Sequence, residues 1–430
     1  MPDLHSLFLS STGICTDTRK PLPGGIFFAL SGPNFNANAF AAKALEQGCA
    51  YAVVDDPVVA VDERYVLVAD TLKALQELAL EHRRTLDIPV IGITGTNGKT
   101  TTKELLHAVL EQNRSTLATE GNLNNHIGVP LTLLKLEPEH QLAIIEMGAS
   151  KRGDIAELCA IAEPTHGLIT NVGKAHLEGF GSLEGVVRTK TELYNWLRTH
   201  GGIAFVNGDD PLLMTESEGL DRVTYGIGPH CDVRGAEEEG ESHYMHFMFE
   251  DAQREGRWHG KTQLVGGYNL PNALAAVAIG RHFDVDDNDI INAIGEYMPA
   301  NSRSQLKDTG RNQLVLDAYN ANPTSMAAAL ENFKNLRSNR KKLTILGDMR
   351  ELGATSLAEH EAIVHLVQKI GLDAILVGEE FMKAAPEVAF RRFPNVAGAV
   401  EALKASHPTG LLVLVKGSRG VKLEEVVAVL

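Results

Sequence analysis

Lys99 and Thr100 close a glycine-bearing stretch, Thr94-Gly-Thr-Asn-Gly-Lys-Thr100. A lysine ammonium, a hydroxyl and inward-pointing backbone N–H groups are what a polyphosphate requires. Gly95 and Gly98 let the backbone turn tightly enough to present those N–H groups. In such a loop Lys99 reaches the outer phosphates and the Thr100 hydroxyl holds Mg²⁺. The strict phosphate-loop pattern has glycine at position 93, where this chain has Ile93, so the match is to a variant loop. A glycine-rich turn without a ligand would leave Gly-Lys-Thr at a helix start unexplained.

Other residues of the right chemistry follow. Glu146 ends the apolar run Leu142-Ala-Ile-Ile just before Met147-Gly-Ala. A carboxylate beyond a strand's carboxyl end is a natural Mg²⁺ ligand, since Mg²⁺ takes hard oxygens; a capping or solvated carboxylate is the alternative. His176 lies in the loop Gly173-Lys-Ala-His-Leu-Glu-Gly after another apolar run, Gly167 to Val172. A lone loop histidine is more often simply solvated. Lys190, between Thr189 and Thr191, reads by itself as a helix-surface lysine. Asn269 and Asn272, in Gly266-Gly-Tyr-Asn-Leu-Pro-Asn272, carry donor and acceptor groups suited to an adenine edge; N-capping by Asn269 is the alternative. Thr16-Asp-Thr-Arg19 reads equally well as an ordinary turn.

These residues need elements to hold them. The run Ile88 to Ile93 reads as a buried strand, and the spacing from Lys103 to Leu110 as a helix beginning near Thr100. Strand, turn and helix together give the loop a helix dipole. Residues 1–84 read as a small mixed α/β unit. Its expected parts are a short helix over 39–47, strands at 50–54 and 65–68, and an amphipathic helix through Leu72, Leu75, Leu78 and Ala79. Residues 85–303 form a second unit around the phosphate loop. It has one helix expected over 183–198, and an antiparallel appendage over about 230–265 where the βα rhythm is lost. Residues 304–430 alternate strands (313–317, 342–347, 373–377, 411–415) with helices from 324, 356 and 398, which implies a parallel sheet covered by helices. Three of those strands end in polar turns: Asp317-Ala-Tyr-Asn-Ala-Asn-Pro323, Gly347-Asp-Met-Arg-Glu-Leu-Gly353 and Lys416-Gly-Ser-Arg-Gly420. Polar groups at corresponding strand ends make a binding face.

Composition narrows the function classes. The chain has 430 residues, 44% hydrophobic and 22% charged, ordinary for a globular protein of two to four domains. A net charge of −15 disfavours non-specific nucleic-acid binding. The four cysteines stand apart from any C-x-x-C pair or His/Cys cluster, so reduced, buried thiols in a cytosolic setting are expected. The first residues lack a basic, long-apolar leader, and no apolar run is long enough for a membrane span.

Taken together the motifs resemble the Mur ligase family of peptidoglycan-building amide synthetases, over nearly the whole chain. The resemblance rests on Thr94 to Thr100 with its extension Thr101-Thr-Lys-Glu104, Asn124-Asn-His-Ile-Gly-Val-Pro-Leu-Thr-Leu-Leu134, Glu146-Met-Gly-Ala149, Asp317 to Pro323, Leu346-Gly-Asp-Met349 with Glu351-Leu-Gly353, and Val415-Lys-Gly-Ser-Arg419. No D-N-P-R motif is present. Within the family this implies the member that joins D-alanyl-D-alanine to UDP-N-acetylmuramoyl-tripeptide through an acyl phosphate. The implied fold is a three-domain α/β chain. A central phosphate-loop, parallel-sheet ATPase domain (85–303) is flanked by a small α/β N-terminal UDP-binding domain (1–84) and a Rossmann-like C-terminal domain for the dipeptide (304–430).

The resemblance also implies residue roles. ATP meets Thr94, Gly95, Thr96, Asn97, Gly98, Lys99, Thr100, Asn269, Asn272, Arg303 and Asp317. Two Mg²⁺ ions meet Thr100, Glu146, His176 and a carbamylated Lys190. Lys99, Lys190 and His176 serve catalysis, and Thr16, Asp17, Thr18, Arg19, Asn125, Tyr319, Asn320 and Asn322 the substrates. A cytoplasmic monomer acting on small molecules, with no nucleic acid and no membrane insertion, completes the expectation. A sister ligase such as a folylpolyglutamate synthase, or a phosphate-loop switch that ligates nothing, are the other readings.

Overall fold

Val90–Thr94 is a fully buried strand, and the chain turns from its end directly into the helix Lys99–Leu110. That unit sits at the centre of a computed structural model describing residues 3–32, 35–240, 243–251, 256–299, 303–385 and 389–430. Residues 1 and 2 of the first expected unit, and 300–302 beside the expected junction at 303, lie outside the described residues.

Three sheets organise the chain. The first is parallel and follows chain order: Ile14–Cys15, Ile26–Phe28, Tyr51–Val54 and Tyr65–Leu67. The central sheet has nine strands, in the order Arg257–Val265, Tyr244–Asp251, Val233–Glu238, Asp221–Gly226, Ile203–Asn207, His166–Ile169, Val90–Thr94, Leu142–Glu146, Thr116–Ala118. The phosphate-loop strand therefore has Leu142–Glu146 on one side and His166–Ile169 on the other, both parallel to it. Their carboxyl ends open onto one place. Ligands collect where neighbouring connections diverge in this way. The third sheet has six strands. Gln313–Asp317, Leu411–Lys416, Lys341–Gly347, Asp373–Val377 and Arg391–Phe393 run parallel, and Gln305–Asp308 is an antiparallel edge. The chain is thus α/β, with a parallel-sheet phosphate-loop domain between a small N-terminal and a Rossmann-like C-terminal α/β domain.

The central sheet is buried on both faces, as a parallel sheet must be. The helices Lys99–Leu110, Leu270–His282 and Asp287–Glu296 pack one face through Leu105, Leu106, Val109, Ala273, Val277 and Ile290. The other face is covered partly by Thr71–Arg84, whose Leu75, Leu78 and Ala79 share one core with Phe28 of the first sheet and Ile145 of the second. This helix couples the first two units. Arg83 fastens it, donating to the carbonyls of Leu86 and Ala162 at 2.8 and 3.2 Å.

Two expectations change. The helix expected over 183–198 is two helices, Leu183–Lys190 and Glu192–His200, meeting at Thr191. The Thr191 hydroxyl donates to the carbonyls of Val187 and Arg188, and such back-bonding bends a helix. The appendage expected over about 230–265 is antiparallel as expected, but its strands Val233–Glu238, Tyr244–Asp251 and Arg257–Val265 are the edge of the central sheet and not a separate piece. Among the described residues no helix is long and apolar enough to cross a membrane.

Candidate functional site

The turn after Val90–Thr94 works only with glycine at its two bends. Gly95 has φ +147° and Gly98 φ +80°. A Cβ at Gly95 would lie 1.9 Å from Thr170 Oγ1, and one at Gly98 would lie 2.7 Å from Asn272 Oδ1. The neighbouring strand end locks the loop. Thr170 Oγ1 donates to the Asn97 carbonyl at 2.6 Å, Asn171 Nδ2 donates to the same oxygen, and the Asn97 N–H donates to Asn171 Oδ1 at 3.0 Å. Thr94 ends the strand fully buried, with its hydroxyl unpartnered among the described residues. The Lys99 ammonium folds back onto the carbonyls of Gly95 and Thr96 at 2.7 and 3.3 Å. Loss of solvent lowers its pKa, an effect that Glu146 opposes and Arg303 reinforces.

Glu146 is 2% exposed at the end of its strand. Its carboxylate accepts the Thr100 hydroxyl at 2.9 Å and the Asn124 amide at 2.8 Å. Thr100, in the first turn of the helix Lys99–Leu110, and Glu146, at the end of its strand, were expected to share a metal and lie in direct contact. Asn125 also lines the cleft, and its Oδ1 accepts the N–H groups of Ile127 and Gly128 just where the helix Gly128–Leu133 begins.

Lys190 is not a surface lysine. It is 3% exposed, at the break between the two helices, and lines the same cleft. No hydrogen bond or ion pair holds its ammonium among the described residues. Burial, then the charge of Lys99, drive its pKa well below the ordinary lysine value. His176 is half-buried, in the left-handed region at φ +50°. Its Nδ1 faces the carboxylate of Glu351, from the third sheet's domain. Burial lowers its pKa while Glu351 raises it.

Asn269 and Asn272 meet behind the loop. The Asn272 amide donates to Asn269 Oδ1 at 3.1 Å, and Asn272 Oδ1 accepts the Thr102 hydroxyl at 3.1 Å. Asn269 Nδ2 donates to the Val265 carbonyl. The pair therefore ties the start of Leu270–His282 to the phosphate-loop helix.

The third domain closes the cleft. Arg303 lays its guanidinium 3.7 Å from the centre of the Tyr319 ring, with Arg419 at 5.5 Å from the same ring. The Nε of Arg303 is buried without a partner among the described residues, a donor in want of an acceptor. Asp317 pairs with the buried Lys416, which also reaches the Asn320 carbonyl at 3.4 Å. Asn322 does two things. Its Oδ1 accepts the Ser325 N–H, capping the helix Pro323–Asn335, while its Nδ2 donates to Asn97 Oδ1 across the domain junction at 2.7 Å. Lys174 and Glu359 add a further crossing at 2.6 Å, beside that of His176 and Glu351.

One cavity of about 950 Å³ results, lined from Thr96 to Thr100 on one wall and by Asp317, Tyr319 and Asn320 on the other. Thr16 to Arg19 stand apart from it. Asp17 pairs with the exposed Arg19 at 2.8 Å, which holds the Asp17 pKa down at about 2, and Thr18 is buried. Tyr268, Asn124, Asn171 and Lys416 also line the cavity and were not singled out as site residues. Lys416 had a readable signal: it ends an apolar strand, as Glu146 and Asp317 do. Donor-rich walls, the buried Glu146 carboxylate and the open Nε of Arg303 suit a nucleoside triphosphate with a hard divalent cation.

Residues 93–280 match the model of the Mur ligase middle domain, and 302–419 that of the Mur ligase, glutamate ligase domain. The UDP-N-acetylmuramoyl-tripeptide–D-alanyl-D-alanine ligase of Bacillus subtilis is 34% identical over 426 residues, covering 96% of this chain and 92% of that one. The crystal structure of MurF from Acinetobacter baumannii superposes with a TM-score of 0.87 at 32% identity, over 98% of this chain and 97% of that one. MurF ligase from Thermotoga maritima, solved in complex with ADP, does so with a TM-score of 0.87 at 28% identity, over 98% and 97%.

Proposed function

The chain belongs to the Mur ligase family, and we propose that it joins D-alanyl-D-alanine to UDP-N-acetylmuramoyl-tripeptide, with ATP supplying the driving force. The observation that carries this reading is the single cleft in which a phosphate loop faces Arg303, Asp317 and Lys416 of the last domain. A switch that only binds nucleotide has no need of a second wall of charged groups.

Amide formation from a carboxylate and an amine is uphill in water, so the carboxylate must be activated. Its oxygen attacks the γ-phosphorus of ATP, the bond to the bridging oxygen breaks, and ADP leaves an acyl phosphate. The dipeptide amine then adds to the acyl carbon, and the tetrahedral intermediate expels phosphate with loss of a proton. The chain's part is positioning and charge neutralisation. Lys99 leaves its loop carbonyls for the outer phosphates. The loop N–H groups of 98–100 hold the same oxygens, and Arg303 satisfies its open Nε on the nucleotide. Asn269 and Asn272 stand on the adenine side, and Asp317 takes the ribose. Tyr319, Asn320 and Asn322 shape the dipeptide wall, with Asn125 on the tripeptide side. Residues 1–84, with Thr16 to Arg19, hold the uridine nucleotide; 85–303 hold ATP; 304–430 bring the dipeptide.

Two Mg²⁺ ions fit the donors: one at Thr100 and Glu146, a second at His176 and Lys190, where they would neutralise phosphate charge. For His176, the Glu351 carboxylate on Nδ1 is the outer-shell partner that leaves Nε2 with its lone pair. For Lys190, an ammonium has no lone pair to offer. Burial beside Lys99 favours the neutral amine, which adds CO₂ and releases a proton to give an anionic oxygen donor, a carbamate. The four cysteines are buried and unpaired, which supports a reducing, cytoplasmic setting; we read the protein there as a monomer. The test is phosphate release with each substrate withheld in turn. Release with ATP alone, or with single amino acids in place of D-alanyl-D-alanine, would overturn the reading.

A further inference from the structure

Away from the cleft, two connections meet at the carboxyl ends of Ile203–Asn207 and Asp221–Gly226. Against the expectation of no His/Cys cluster, they bring together the Asp209 carboxylate, the His230 imidazole and the Cys231 thiol, one ligand atom of each within 4.8 Å of the others. None of the three lines the nucleotide cavity. Cys231 is buried, while Asp209 and His230 are open to solvent.

Two of the three groups, His230 and Asp209, are oriented by backbone partners as metal ligands are. The His230 Nε2 lies 2.8 Å from the Gly208 carbonyl. A carbonyl only accepts, so Nε2 carries the proton and Nδ1 keeps its lone pair. The Asp209 carboxylate takes the N–H groups of Ile227 and Gly228 at 2.7 and 2.8 Å, which fixes its plane while leaving lone pairs free. Three glycines clear the ground between the ligand atoms. A Cβ at Gly208 would lie 2.6 Å from Cys231 Sγ; at Gly226, 2.5 Å from Asp209 Oδ2 and 3.0 Å from Sγ; at Gly228, 2.8 Å from His230 Nδ1 and 3.0 Å from Asp209 Oδ1.

We propose that Asp209, His230 and Cys231 bind a divalent transition cation of the Zn²⁺ class, with a fourth position open to water. One thiolate, one imidazole and one carboxylate form a borderline-soft set that suits Zn²⁺ or Co²⁺ and not Mg²⁺. Bonds of about 2.0–2.3 Å in a tetrahedron put ligand atoms roughly 3.3–3.8 Å apart. Exposed Asp209 and His230 side chains make that contraction by a small rotation. The cation clamps the turn after Ile203–Asn207 to the connection leading into Val233–Glu238, and so braces the half of the central sheet that carries its antiparallel edge.

Full-length protein titrated with Co²⁺ in excess Mg²⁺ tests this, because a thiolate on cobalt gives a charge-transfer band that oxygen and nitrogen ligands do not. The expected result is one Co²⁺ per chain with that band, displaced by Zn²⁺, and a Zn²⁺-dependent rise in thermal midpoint. Cys231→Ala should lose the band. His230→Gln, a solvent-exposed change, should keep the fold and the Mg²⁺-dependent ligation rate while weakening Co²⁺ at least tenfold. No band in the wild type with Co²⁺ in large excess overturns the site. So does a band that survives in Cys231→Ala, or an unchanged Co²⁺ affinity in His230→Gln.

Discussion

Asn322 lets closure of the last domain be weakened without weakening the domain itself. One end of its amide caps the helix Pro323–Asn335 and the other crosses to Asn97. Asn322→Ser keeps a hydroxyl that accepts the Ser325 N–H at the cap, but is too short to reach Asn97. Asn322→Ala loses both. A neutral hydrogen bond contributes about 1 kcal/mol, and the loss of an Asn cap costs about 1 kcal/mol more. The serine variant should therefore fold with an unchanged thermal midpoint. Its closed state should be about fivefold less populated, the factor that 1 kcal/mol sets. Where closure assembles the site, kcat/KM for ATP falls by the same factor. The alanine variant should show that loss plus a drop in the last domain's midpoint of about 3 °C, the scale for a domain of 100–200 residues. Differential scanning calorimetry and steady-state kinetics on both variants decide it. Small-angle scattering with an ATP analogue and the UDP-tripeptide follows compaction directly. Equal thermal losses in the two variants, or wild-type kcat/KM in the serine variant, would refute the division of labour.

Lys99→Ala should reduce ligation by about 1,000-fold, the scale for removing a charge-stabilising group from a phosphoryl-transfer site, with the circular dichroism spectrum unchanged; wild-type turnover would count against it. Lys190→Ala should be nearly inactive and regain activity with acetate, which restores an anionic oxygen donor; rescue by methylamine and not by acetate would mean the position needs a positive charge. The His166 ring, stacked on Phe205 and 3.2 Å from His282, has its pKa lowered to about 4 by burial and then by His282. A depressed histidine leaves the folded state unprotonated while the unfolded chain takes up a proton below about 6.5, so stability is full above that pH and falls between 6.5 and 4, by up to about 1.4 kcal/mol per pH unit. His166→Asn should flatten that part of the profile by about 2–3 kcal/mol in total, read by denaturant titration at several pH values; an unchanged acid limb would sink the assignment.

What could be read from the sequence was local. Glu146, Asp317 and the Gly-Lys-Thr turn are visible because a polar residue closing an apolar strand must lie at the sheet's carboxyl edge, and that edge is where ligands gather. Lys416 carries the same signal. The partnerships were not local. Asn97 and Asn322 are 225 positions apart, and neither segment's pattern names the other; only the docking of two separately folded sheets joins them. Lys190 misleads for a related reason. Its neighbours Arg188, Thr189 and Thr191 are polar, so the pattern turns that stretch toward solvent. The structure nevertheless buries it: Lys190 is the last residue of Leu183–Lys190, where the helix breaks at Thr191, and there it lines the cleft and feels the charge of Lys99. Lengthening or straightening that helix would therefore disturb the electrostatics of the phosphate loop without touching any loop residue.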